Sequence, residues 1–131
     1  MSINCIRALL EKAVQTDGEK TALIYNDQSI SYSQLYTKVN QVAFYLNELD
    51  LEKRARIGIY SDKGIEQVVA ILAILSTDYI LVPLTKMLKS EQVEYIIKDC
   101  DIKCIITDKL KLENIEEIDF DGHIISYETT N

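Results

Sequence analysis

The chain has 131 residues, 47% hydrophobic and 27% charged, with 14 Lys and Arg against 21 Asp and Glu for a net charge of −7. That balance excludes a disordered or fibrous chain, and a chain this long buries roughly two-thirds of its unfolded surface without needing a disulfide or a metal. The acidic balance, with no cluster of Lys and Arg, argues against nucleic acid and anionic membrane as partners.

The longest uninterrupted apolar run, Val68 to Leu75, is far short of the roughly 18 residues that a membrane-spanning helix needs. Arg7 is the only basic residue before Leu9, and no long apolar stretch follows, so no secretory signal is expected. Cys5, Cys100 and Cys104 are odd in number, and the C-x-x-x-C spacing fits neither a zinc knuckle nor a thioredoxin pair. A cytoplasmic setting with the thiols as core fillers is expected.

In chain order, Ile6, Leu9, Leu10, Ala13 and Val14 recur at helical spacing over 4–14, and Asp17-Gly18 ends the pattern. Extended runs at 21–25 and 29–32, separated by Asn26-Asp27-Gln28, predict a hairpin. Ser31 followed by Gln34 is a capping box, and Leu35, Val39, Val42, Ala43, Leu46 and Leu49 form the stripe of a long amphipathic helix. Strands at 55–60, 79–84, 103–107 and 123–127 then alternate with a helix at 64–75 and a second one that takes Ser90 as its N-cap and has Val93, Ile96, Ile97 and Cys100 inward. The strand centres Ile57, Leu81 and Ile105 lie 24 residues apart, the spacing of βαβ units. The predicted fold is therefore a single α/β subdomain over 1–131: an N-terminal hairpin, then βαβ units forming a mostly parallel sheet flanked by helices. The helix at 64–75 is apolar around its circumference. It calls for cover on its outer face by a loop, a second copy or further polypeptide.

Chemistry is sparse. The glycines, Gly18, Gly58, Gly64 and Gly122, are scattered, so no phosphate-binding glycine loop is present. His123 is the sole histidine and has no nucleophile near it in sequence. Asp62 and Asp108 follow strands at their carboxyl ends, where α/β proteins place function, although aspartate is equally a cap and loop residue there. Lys86 and Lys89 make a small basic spot, and the acidic stretch 113–121 reads as a solvated face or loop. No residue is assigned to catalysis, to cofactor binding or to a metal.

The stretch from Thr21 to Asp108 resembles the N-terminal portion of the adenylate-forming, AMP-binding superfamily: acyl-CoA synthetases, aryl-CoA ligases and peptide-synthetase adenylation domains. ISYSQL, 30–35, is similar to that family's first core motif, and LAILSTDYILVPL, 72–84, to its second, with Asp78 where a glycine is usual and Thr85 where an aspartate is usual. The resemblance implies an enzyme that activates a carboxylate with ATP and Mg²⁺ and passes the acyl group to coenzyme A or to a carrier's phosphopantetheine. It also implies that the phosphate loop and catalytic lysine have no counterpart in these residues. The expectation is an inactive, structural N-terminal fragment that partners the remainder of the ligase and can self-associate through the 64–77 helix. The alternatives are a stand-alone interaction module, or a receiver-like regulator using Asp62 and Asp108.

Overall fold

A computed structural model describes residues 5–127. The first layer is α1 (Cys5–Asp17), the antiparallel hairpin β1 (Thr21–Tyr25) and β2 (Gln28–Ser31), and α2 (Tyr32–Glu48). Asn26 takes a positive φ of 55° in the hairpin turn, a conformation its short polar side chain tolerates. The capping box forms as the spacing predicts: Ser31 Oγ accepts from the Gln34 N–H at 3.2 Å, and Gln34 Oε1 accepts from the Ser31 N–H at 2.9 Å. Leu35, Val39, Ala43 and Leu46 of the α2 stripe are buried, with Val42 and Leu49 half-buried. In α1, Leu10 is buried whereas Leu9 is 64% exposed, because only one narrow side of that helix meets α2.

The second layer is a four-stranded parallel sheet of β3 (Arg56–Tyr60), β4 (Ile80–Leu84), β5 (Ile102–Asp108) and β6 (His123–Tyr127), in the order β4-β3-β5-β6. Ile57 pairs with Leu81 and Gly58 with Ile105, so the 24-residue spacing places the strands nearly level. Pro83 sits on β4, an outer strand, where its missing N–H costs no ladder bond. Gly58 lets Leu84 and Ile102 close over β3: a Cβ there would lie 3.2 and 3.3 Å from their methyl groups.

Helix α3 (Ile65–Leu75) joins β3 to β4 on the face that α1 and α2 cover, and α4 (Ser90–Asp99) and α5 (Lys109–Glu116) lie on the other. The reversal follows from right-handed crossovers, since the chain moves outward from β3 to β4 and then back across β3 to β5 and β6. Alternate residues therefore serve two cores: Ile57, Ile59, Cys104 and Ile106 face α2 and α3, while Tyr60, Ile102 and Ile105 face α4 and α5. The apolar circumference of α3 finds its cover within the chain, from α2, α1 and β1 on one side and the sheet on the other. Ile65, Val69, Ala70, Ala73 and Ile74 are buried and Leu75 is exposed.

Most element ends differ by one to three residues from those the sequence pattern predicts, and one cap and one helix differ in kind. Lys89 is the N-cap of α4 and Ser90 its first residue, with Ser90 Oγ donating to Glu117 Oε2 at 2.7 Å. The stretch 109–116, which overlaps the expected solvated face or loop, is the helix α5, held by one buried apolar residue, Ile115.

Candidate functional site

Chain order in the sheet reverses between β3 and β5, which makes the carboxyl end of these two strands the topological switch point. Open α/β sheets leave a crevice for ligands at that position. The ladder pairs Tyr60 with Thr107 and Asp108 with Tyr127, so the residues ending β3, β5 and β6 stand side by side. Asp62 and Asp108, separated by 46 positions, are brought together there, but in a structural relation. Asp108 is fully buried; its Oδ2 accepts from the Asp62 backbone N–H and its Oδ1 from the Lys111 N–H, both at 2.8 Å. The second of these bonds is the N-cap of α5. The Asp62 carboxylate points the other way, to Lys86 Nζ at 3.5 Å.

Tyr60 binds the loops on the opposite side of β3. Its Oη donates to the Leu88 carbonyl at 2.6 Å and accepts from Asn114 Nδ2 at 2.8 Å, while its own carbonyl accepts from Thr107 Oγ1 at 2.6 Å. The loop between β4 and α4, which carries Lys86 and the exposed Met87, is thereby fastened to β3 and α5. Beside it a cleft of about 490 Å³ opens between the hairpin turn and the start of α3, with Asp62, Lys63, Glu66 and Lys86 on its walls.

A second cavity, of about 210 Å³, lies between α2, α3 and β6 and is mostly apolar, with Val42, Ile65, Val69, Ile106 and Ile125 among its walls. Tyr127 borders it. The Tyr127 Oη and the Ser61 Oγ are both buried, and neither completes a hydrogen bond. Burial pushes the Tyr127 phenol from 10 up to about 12; the neighbouring Ser61 hydroxyl works against that rise, and Asp108, Glu66 and Asp62 add to it.

The remaining candidates stay apart. His123 is exposed at the start of β6, and Lys89 is exposed at the cap of α4. Cys104 is fully buried and burial alone pushes its thiol from 9 up to about 12, which makes it an inert core residue; Cys100 caps α4. The Cys5 side chain lies outside the described residues. Ser61, Tyr60, Asn114 and Tyr127 escape sequence reasoning because each is defined by a partner at least 28 positions away.

The fully buried Asp108 carboxylate is not available to a Mg²⁺ ion. Asp108 is committed to backbone N–H groups and Asp62 to Lys86. Among the described residues no group of three or more His, Cys, Asp and Glu could hold a metal ion. No helix among them is long and apolar enough to cross a membrane.

The model of the AMP-binding enzyme family matches residues 10–130. The chain belongs to that family. It is 27% identical over 120 residues to tyrocidine synthase 1 of Brevibacillus parabrevis, covering 92% of this chain and 11% of that protein. It is 31% identical over 113 residues to zwittermicin A synthase ZmaJ of Bacillus cereus, covering 86% of this chain and 22% of the relative. Among solved structures, the anthranilate CoA ligase AuaEII in complex with anthranoyl-AMP superposes with a TM-score of 0.86 at 25% identity, over 97% of this chain and 26% of that one. The N-terminal domain of FACL13 from Mycobacterium tuberculosis shares the fold, with a TM-score of 0.82 at 18% identity, over 93% of this chain and 33% of that one. This AMP-binding family chain thus spans between about a tenth and a third of the proteins named here.

Proposed function

We propose that this chain is the amino-terminal lobe of an AMP-forming acid–thiol ligase of the acyl-CoA synthetase or adenylation-domain kind. The observation that carries the reading is the family match over residues 10–130. The superposition on a CoA ligase solved with anthranoyl-AMP supports it. In the whole ligase, ATP and Mg²⁺ convert a carboxylate to its acyl-adenylate, and coenzyme A or a carrier's phosphopantetheine takes the acyl group. The lobe's own part is structural. Its strand-end carboxylates are spent on backbone and lysine partners, and the phosphate loop belongs to the remainder of the ligase, in the cytoplasm.

Carboxylate-dependent ATP–pyrophosphate exchange tests this. The chain alone is expected to give background exchange. A chimera in which it replaces the matching 120 residues of tyrocidine synthase 1 is expected to exchange with that enzyme's own substrate. Exchange by the chain alone, or a folded chimera with none, overturns the reading.

A further inference from the structure

The chain contains two Asp-Gly pairs, Asp17-Gly18 and Asp121-Gly122. Such a pair carries a reaction of its own. The glycine backbone nitrogen attacks the aspartate Cγ, the new N–C bond forms and water leaves, closing a five-membered succinimide ring. Water then adds back. Addition at the side-chain carbonyl restores aspartate, whereas addition at the main-chain carbonyl leaves Gly bonded through Cγ, which is isoaspartate, with a main chain one carbon longer. No oxidant, metal or second reactant besides water takes part. Glycine favours the ring because no Cβ shields its nitrogen and its backbone turns freely. The aspartate must leave any regular backbone conformation to reach that nitrogen, so a helix or a strand protects it.

The fold treats the two pairs differently. Asp17 is the last residue of α1; its Oδ1 is ion-paired with Lys20 Nζ at 3.2 Å, and its carbonyl accepts from the Lys20 N–H at 2.9 Å. Gly18 is held as well, since its carbonyl accepts from the Ser33 N–H at 3.0 Å, and Ser33 Oγ and the Val14 carbonyl close over it. Asp121, by contrast, is exposed and lies in neither helix nor strand, between α5 and β6. Its carboxylate makes no hydrogen bond or ion pair among the described residues; Lys103, whose charge it feels, is paired with Asp101 at 3.0 Å. Its neighbour must be glycine, because a Cβ at Gly122 would run into the Phe120 ring and the Lys103 carbonyl. The fold thus requires the residue that makes this pair reactive and leaves the aspartate beside it unheld.

We propose that Asp121-Gly122 is a site of spontaneous isoaspartate formation in the folded chain, and that the fold protects Asp17-Gly18 from the same reaction. The product is the class of substrate that an isoaspartyl carboxyl methyltransferase accepts. The added carbon lies immediately ahead of Gly122, so it disturbs the entry to β6, where His123 takes its place opposite Cys104. The inference is independent of the function proposed above.

The test ages the full chain in warm neutral buffer, once folded and once in urea, and digests it. The peptides that hold the two Asp-Gly pairs are assayed for isoaspartate by electron-transfer fragmentation and by labelling with an isoaspartyl methyltransferase. In the folded chain isoaspartate is expected at Asp121 at least about tenfold faster than at Asp17, a ratio equivalent to about 1.4 kcal/mol of local protection in α1. In urea the two rates converge, because the same pair then reacts without a fold around it. Asp121→Glu, which can close only a six-membered ring, loses the signal at 121, and the aged wild-type chain shows faster amide exchange over His123–Tyr127 than the aged variant. Equal rates at the two sites in the folded chain, or a faster reaction at Asp17, overturn the proposal. Absence of isoaspartate at Asp121 in the folded chain overturns it as well, whatever the unfolded chain does.

Discussion

The Asp108 carboxylate accepts a hydrogen bond from the Asp62 backbone N–H at 2.8 Å, across the point where strand order reverses between β3 and β5. Many α/β proteins bind an external ligand at that crevice. Here a side chain of the sheet fills the seat, and its second oxygen caps α5. A buried charge is tolerable because both oxygens receive N–H donors, and removing it leaves those donors without partners.

Asp108→Ala is therefore expected to destabilise the chain by about 2–4 kcal/mol, the loss of a helix cap plus an unpaired buried N–H. Asp108→Asn loses less, since one amide oxygen still accepts. Urea denaturation midpoints check both, and an Ala variant within about 0.5 kcal/mol of wild type would rule out the structural role.

Asp62 contributes through its main chain, and its side chain is expected to matter little. Lys86 and Asp62 are partly exposed, at 47% and 32%, and sit 3.5 Å apart. A double-mutant cycle of Lys86→Met and Asp62→Asn is expected to give a coupling below about 1 kcal/mol, shrinking further in 1 M salt. A larger, salt-insensitive coupling would mean that the pair is enclosed in solution.

Tyr60→Phe keeps the buried ring and removes both bonds of the hydroxyl, to the Leu88 carbonyl and from Asn114. The expected cost is about 1–2 kcal/mol. The diagnostic result is regional: amide exchange should quicken at 85–89, which the hydroxyl fastens, with little change in β1 and β2. Uniform acceleration across the chain would show that the hydroxyl supports global stability alone.

Patterns carried by neighbours in sequence are legible from the amino acids alone. The Ser31–Gln34 box, the α2 stripe and the spacing of Ile57, Leu81 and Ile105 are of that kind, and each is present in the fold. The helix ends at Asp50 and Asp101 carry a weaker signal, because aspartate rather than glycine takes the left-handed position, at φ 53° in each. Helix α5 is obscured because its cap, Asp108, also ends a strand and only Ile115 among its residues is buried. The cover of α3 depends on how α1, α2 and the hairpin fold over it, and the meeting of Ser61 with Tyr127 depends on strand order; neither leaves a local signal.

Stability at high pH follows from two buried acids. Burial raises the Cys104 thiol from 9 to about 12 and the Tyr127 phenol from 10 to about 12. Below pH 9 both groups are protonated in the folded and the unfolded chain, so their contribution is fully present. Above pH 9 for the thiol, and above 10 for the phenol, the unfolded chain releases protons that the folded chain keeps, and stability falls until about pH 12. Urea midpoints at pH 8, 9.5 and 10.5 should decline in wild type beyond what Cys104→Ala shows, because that variant lacks the thiol's share. The alanine variant starts lower, having lost buried packing in the core shared with Ile57 and Ile106, so the slope with pH, and not the absolute midpoint, is the readout. Equal slopes in the two proteins would mean that the thiol ionises as readily folded as unfolded, which is incompatible with a Cys104 fully enclosed between the sheet and its helices.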